Sequence, residues 1–432
     1  MTGNEECSGG TGHRTGVFLP LLYAFALPPL IDIFAVPFFL RRERKSAFCF
    51  LIVSIAAIAS FYIPIGDQND YFNLLLKWSD PSYMFGDFMD EATMREFNLV
   101  HITLYLFAKI GGSLELFRAM LVTMAAAFCV DVANGIAYSR EDGTHDHGND
   151  LVFFAVLMAF PLFSVFTGFR YGLATIVYVW GVVRFERERS VKCLTLSLLL
   201  TSCIHFSVSL YWLFYLFVKI PLVRRVFSNK WCFAMVLASG LVLKFAIGSL
   251  FDAMAGGMGD GFIAQKVGDY LSSDAYFNRE FLEDITANTR LFYGLFASTL
   301  FMQIPFLWFG WDDIDDKLRN VLHLLVLFIC FGVLMSSNVT MLNRITSLSA
   351  PLFAVLIGES LAMKGCGENK VMRNCFVLLC LIICILPIAR MKKSWFRSNV
   401  KEISYTPSFL CLMNHYDEDW VDDNIEERAL IE

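Results

Sequence analysis

The sequence predicts an all-α integral membrane protein that crosses the bilayer many times. Three observations predict it. Of 432 residues, 56% are hydrophobic and 43 are Phe, with a mean hydropathy of +0.55; no single soluble core needs that much apolar surface. The apolar residues are gathered into repeated runs near the length of a membrane helix, about 20 residues. Charge is segregated between the connecting segments, so the net charge of −6 says little, whereas the basic segments mark the cytoplasmic side. The expected architecture is about twelve crossing helices, one re-entrant or interfacial helix and two polar outer loops. It forms a single transmembrane domain over residues 1–390, with outer loops at 66–96 and 251–289, and a polar, acidic-ended tail over 391–432.

The first run, 17–40, is expected to stay on the protein, since no cleavage-like site follows it. Pro20, Pro28, Pro29 and Pro37 should kink it, and Asp32 lies in its middle. Arg41–Lys45 is a basic, cytoplasmic turn, and 46–65 returns to the opposite face. The segment 66–96 holds seven acids and two basic residues, which fits the outer side. The run 97–110 is apolar but short, and 114–138 is a full span with Glu115 and Arg118 near its start. Parity decides between them. Segment 66–96 is outside and Arg184–Lys192 is basic and inside, so an odd number of the intervening runs must cross. The short run 97–110 is the one expected not to.

Runs 151–168 and 171–183 follow, separated by Gly168-Phe169-Arg170. Runs 193–204 and 206–218 form a hairpin between two basic turns, with His205 at its tip. Run 231–250 contains Lys244, and 251–289 is the second acidic outer segment. Runs 290–310, 320–335, 345–363 and 374–389 complete the set. Arg344 sits just before the third of these. The acidic stretch from Asp417 onward is expected to be poorly ordered.

Composition and spacing exclude several chemistries. No Cys-x-x-Cys pair occurs, and nine of the twelve Cys lie inside apolar runs, where Cys acts as a small hydrophobe. No Walker or dinucleotide pattern fits. His145, Asp146 and His147 are adjacent in a loop and would need distant ligands to hold a metal, so no metal is expected.

What remains is a set of ionisable groups at or near membrane depth, where each is costly and therefore a candidate for function. Arg170, His205 and Arg344 all fall at outward-facing ends of runs. Asp67, Asp70 and Tyr71 stand at the start of the first outer segment. Arginine suits a phosphate or pyrophosphate, because its fork binds two oxygens and stays charged. A His or Asp could accept the proton of an attacking hydroxyl. The bland alternative is that each Arg bonds backbone carbonyls at a broken helix, and that the acids are a solvated face.

The layout resembles the Wzy/EpsG-type polysaccharide polymerases. Four short motifs carry the resemblance. Gly66-Asp67-Gln68-Asn69-Asp70-Tyr71 stands for a Gly-x-Asp-Tyr-like element. Phe169-Arg170-Tyr171-Gly172-Leu173-Ala174 opens a helix where the family often has Arg-Gln-x-Ile/Leu-Ala. Ile204-His205-Phe206-Ser207 is an Ile-His-x-Ser-like element, and Asn343-Arg344-Ile345 supplies a late Arg. Tyr171 in place of Gln and the extra residues before Tyr71 are departures.

The resemblance implies polymerisation of polyprenyl-pyrophosphate-linked oligosaccharide units into O-antigen, capsule or exopolysaccharide, at the outer face of a bacterial inner membrane. It implies catalytic roles for Asp70 and His205, and pyrophosphate or sugar binding for Arg170, Arg344, Asp67 and Tyr71. No cofactor and no nucleic acid are implied. The partners implied are the lipid-linked oligosaccharides, the bilayer, a chain-length regulator and a flippase. Two rival readings share many helices: a GT-C-type glycosyltransferase using a polyprenyl-phosphate sugar, which often needs a metal, and a lipid-linked oligosaccharide flippase or other transporter, which usually shows internal repeats.

Overall fold

The computed structural model describes residues 17–61, 67–94, 98–138, 147–257, 287–336, 338–364, 370–390 and 400–413, and every regular element among them is a helix. The first run is divided into α1 (Phe18–Ala26) and α2 (Pro29–Arg42) by extended backbone at Leu27 and Pro28. The cause is local: proline lacks an N–H and pushes the residue before it out of the helical region. α3 (Arg44–Phe61) packs against α2, with Ser54 Oγ donating to Pro29 O at 2.8 Å.

The polar segment expected as a loop at 66–96 is instead two helices among its described residues, α4 (Asp67–Ser79) and α5 (Phe85–Met94). Tyr71, Leu74, Leu75 and Trp78 recur at helical spacing and are buried. That stripe outweighs the polar composition around it. Asp80 ends α4 by accepting bonds from the Ser82 N–H and Oγ, both at 2.8 Å. Lys77 pairs with Glu91 across the turn at 2.8 Å. α6 (Leu99–Lys109) closes this group, Phe88 stacking on Tyr105 at 4.4 Å. With 11 residues it is about 16 Å long, too short to cross.

α7 (Leu114–Ala137), α8 (His147–Ala159), α9 (Leu162–Gly168) and α10 (Arg170–Glu188) follow, then α11 (Val191–Ile204), α12 (Phe206–Ser209), α13 (Tyr211–Phe217), α14 (Pro221–Phe227) and α15 (Lys230–Gly257). The second half holds α16 (Ala287–Gly310), α17 (Arg319–Leu334), α18 (Val339–Lys364) and α19 (Lys370–Arg390). α10 and α18 are the central pair. All of Gly172–Val183 is buried, as is the whole apolar stretch of α18.

Among the described residues, six stretches are long and apolar enough to cross a membrane: Arg44–Phe61, Leu114–Ala137, Gly294–Asp313, Asp316–Leu334, Met341–Met363 and Lys370–Ala389. A seventh arises if Phe206–Phe217 and Pro221–Phe227, bent by 85°, form one broken span. The structure therefore supports a multi-pass membrane protein but not twelve spans. Several apolar runs form shorter helices, among them Pro29–Leu40, Gly148–Ala159 and Val191–Ile204. α10 carries too much charge in its last two turns.

One end of the bundle gathers paired charge. Arg184 grips Asp131, with Nε at 2.7 Å, and also Glu188. Arg187 reaches Glu359 at 3.2 Å. The buried Glu186 accepts from Tyr215, Lys219 and, at 2.8 Å, Asn320 Nδ2. The Arg44 guanidinium lies 3.8 Å from the Tyr138 ring centroid. The last turns of α10 are thus pinned to α7, α13, α17 and α18. Pairs that bridge separate helices in this way tie their ends together, while Asn320 Oδ1 and Glu359 Oε2 within the network are left over.

Part of the segment expected as a polar tail forms short helices. α20 (Val400–Tyr405) and α21 (Ser408–Leu412) return to the first helices. Ser408 N and Oγ both donate to Leu27 O, at 2.9 and 2.8 Å, and Ser408 Oγ lies 3.2 Å from Asp32 Oδ2. Ser60 Oγ donates to Cys411 O at 2.6 Å. The acidic stretch from Asp417 lies outside the described residues.

Candidate functional site

The end of the bundle opposite the paired charges is where the expected site residues meet. It is built on the elbow between α9 and α10. Phe169 has φ 31° and ψ −65°, a conformation that residues with a Cβ rarely adopt. Such strain persists only where the surroundings hold it. Here the Phe169 ring is fully buried, 5.0 Å from the Tyr71 ring and 5.7 Å from Phe117, edge to face on both. On the other side of the elbow, a Cβ on Gly172 would lie 2.7 Å from the backbone of Ser164 and Val165. Only glycine lets α10 start this close to α9.

The elbow puts Arg170 at the first position of a 19-residue helix. Its guanidinium lies 6.0 Å from the Tyr71 ring centroid. A helix N-terminus presents unbonded N–H groups and positive potential, so a cation there adds to a place already favourable to an anion. Tyr71 also meets His101, with ring centroids 5.6 Å apart.

Tyr171 comes next and joins the remaining candidates. Its hydroxyl donates to Arg344 O at 2.7 Å. The Arg344 guanidinium carbon is 5.3 Å from its ring centroid, and the His205 ring meets it edge to face at 5.7 Å. Arg344 lies near the start of α18, where Asn338 caps by accepting from Met341 N at 2.9 Å. His205 stands in extended backbone between α11 and α12, its Nδ1 2.9 Å from Ser207 Oγ. Four helix ends thus converge, and Tyr71, Arg170, His205 and Arg344 form two groups joined through the Arg170–Tyr171 peptide.

Asp67 opens α4 and Asp70 stands one residue before Tyr71; their side chains lie outside the described residues. So do Lys244's side chain and the acids of 258–286. His145 and Asp146 fall outside them as well, as does the side chain of His147 at the start of α8. No cluster of three or more metal-ligating side chains occurs among the described residues.

The structure adds three ionisable residues to which the sequence assigns no role. Glu115 and Arg118 are both buried in the first turns of α7, and Arg118 Nη2 donates to Ser60 O at 3.2 Å. They are three apart on one helix face behind an N-capping Ser113, a pattern visible in the sequence. His101 was hidden in a run judged only by its length. Its signal is Asn98, which caps α6 and lies 3.1 Å from His101 Nδ1.

A sequence model of the EpsG family matches residues 45–406. No curated protein and no solved structure matches the chain.

Proposed function

The chain belongs to the EpsG family, and on that premise we propose that it polymerises polyprenyl-pyrophosphate-linked oligosaccharide units into a surface or secreted polysaccharide. The observation that carries this reading is the meeting of Arg344 and His205 around Tyr171, whose chain neighbour Arg170 stands over Tyr71 at the same end of the bundle. The end with the basic turns faces the cytoplasm by the positive-inside rule. The site then faces the outer side of the inner membrane, where the lipid-linked units are presented.

In the proposed reaction a hydroxyl of the acceptor's terminal sugar attacks the anomeric carbon of the donor. The bond from that carbon to the pyrophosphate oxygen breaks, and polyprenyl pyrophosphate leaves. Arg170 and Arg344 hold the charge that develops on the leaving group. Asp70 or His205 takes the proton of the attacking hydroxyl. Tyr71 offers an aromatic face and Asp67 a carboxylate to the sugar.

The test is activity per molecule of membrane-inserted protein for Arg170→Lys and Arg344→Lys, with abundance measured alongside. A lysine cannot reproduce the two-pronged contact. Loss of such a contact at the transition state costs on the order of 3 kcal/mol, roughly 100-fold in rate. Near-normal specific activity for both variants would retire the pyrophosphate clamp. Activity that requires a divalent metal would favour a GT-C-type transferase instead.

A further inference from the structure

Tyr171 stands where the resemblance supplied no role, yet it touches two of the proposed working groups at once. We propose that Tyr171 is the positioning residue for both Arg344 and His205, an inference that rests on the polymerase reading of the same site. One face of its ring carries the Arg344 guanidinium at 5.3 Å, within the range in which a cation is drawn to an aromatic face. The His205 imidazole meets it at 5.7 Å, close to perpendicular at 81°. Its hydroxyl bond to Arg344 O, at 2.7 Å, anchors the backbone that presents that guanidinium.

A phenol ring is rigid, so one side chain sets the separation between a cation on α18 and an imidazole at the α11–α12 joint. Tyr171 is itself well fixed. It follows the strained Phe169 by two residues and precedes Gly172, which presses on the α9 backbone. Ser207 Oγ, 2.9 Å from His205 Nδ1, holds the imidazole by its own edge. A base and a leaving-group clamp must keep a fixed distance during transfer, because misplacement by about 1 Å can cost 100-fold.

The experiment is a double-mutant cycle on the full-length protein in membranes supplied with lipid-linked repeat units, reading polymer formed per inserted molecule. Tyr171→Leu is expected to lose about 100-fold, as Arg344→Lys does. The double variant should fall no more than about threefold below the worse single, since both changes disable one unit. Tyr171→Phe keeps both ring contacts and should retain at least about a fifth of the activity. If Tyr171→Leu does not insert, Tyr171→Met, which fills similar space, takes its place in the cycle. Losses that multiply in the double variant, a Tyr171→Leu protein with normal activity, or a Tyr171→Phe protein as poor as Tyr171→Leu would each overturn the proposal. Impaired Arg344→Lys beside normal Tyr171→Leu sinks this inference alone. Full activity in both Arg344→Lys and His205→Ala would sink the polymerase site, and the inference with it.

Discussion

Two arginines at one end of the bundle sit in different surroundings. Arg118 is fully buried and spends a guanidinium N–H on Ser60 O. Arg170 is half-buried at a helix start beside Tyr71. Arg118→Met should therefore lower the amount of folded protein, by on the order of 3 kcal/mol in stability. Specific activity of what remains should stay within about threefold. Quantitative blotting beside an activity assay checks this; normal abundance with lost activity would move Arg118 into the site. In sequence, Arg118 and Arg170 look alike: each lies within the first turns of an apolar helix. What separates them is which side chains and carbonyls other helices bring alongside. Arg170, His205 and Arg344 were legible because each is an ionisable group at the end of an apolar run. The Tyr171 contacts were not, since they join positions on three separate segments.

The α4–α5 pair is helical where its composition predicts a loop, and particular contacts hold it. Its acids suggested an outer loop, while the stripe of Tyr71, Leu74, Leu75 and Trp78 carried the helical signal. Burial would raise the Glu91 carboxyl, but hydrogen bonds from Lys77 and Tyr83 outweigh it and hold it at about 2, below the ordinary 4.5. A depressed acid stabilises the fold above its unfolded value. That contribution is present above about pH 4.5 and is lost as pH falls toward 2. Hydrogen exchange over 67–94 should accelerate in that window, and Glu91→Gln should remove the added sensitivity. Exchange that is flat through the window in the native protein would show that the pair is held elsewhere. The α9–α10 elbow makes a second test. Gly172→Ala drives a Cβ into the Ser164–Val165 backbone, an overpacking that costs about 1–3 kcal/mol. It should displace Arg170 and Tyr171, lowering polymer yield per inserted molecule. Normal yield would show that the elbow tolerates opening.

At the scale of the molecule, the charge network around Glu186 lies at one end and the candidate site at the other. A cysteine replacing the exposed Ser82, in the turn between α4 and α5, should react with an impermeant reagent in intact cells. One replacing the exposed Arg225, at the basic end, should not. Reaction at Arg225 would invert the orientation. The membrane class and the alternation of basic and acidic segments were legible because hydropathy and charge are local. The number of spans was not. Apolar runs of similar length become either long helices or short broken ones, and a proline does not tell which: Pro28 and Pro161 stand at breaks, while Pro305, Pro351 and Pro387 lie inside continuous helices.

The contact between Leu27 and Ser408 also has a place in time. A chain made from its N-terminal end places α1, α2 and α3 in the bilayer long before residue 408 exists. Until then the Leu27 carbonyl, the Asp32 carboxylate and the Ser60 hydroxyl wait without the groups that α21 brings. Among the described helices, α21 closes a seam that α1, α2 and α3 leave open, so this face of the protein is sealed only once α21 has been made. A chain halted anywhere before α21 keeps that seam unsealed, with those polar groups unmet by their α21 partners.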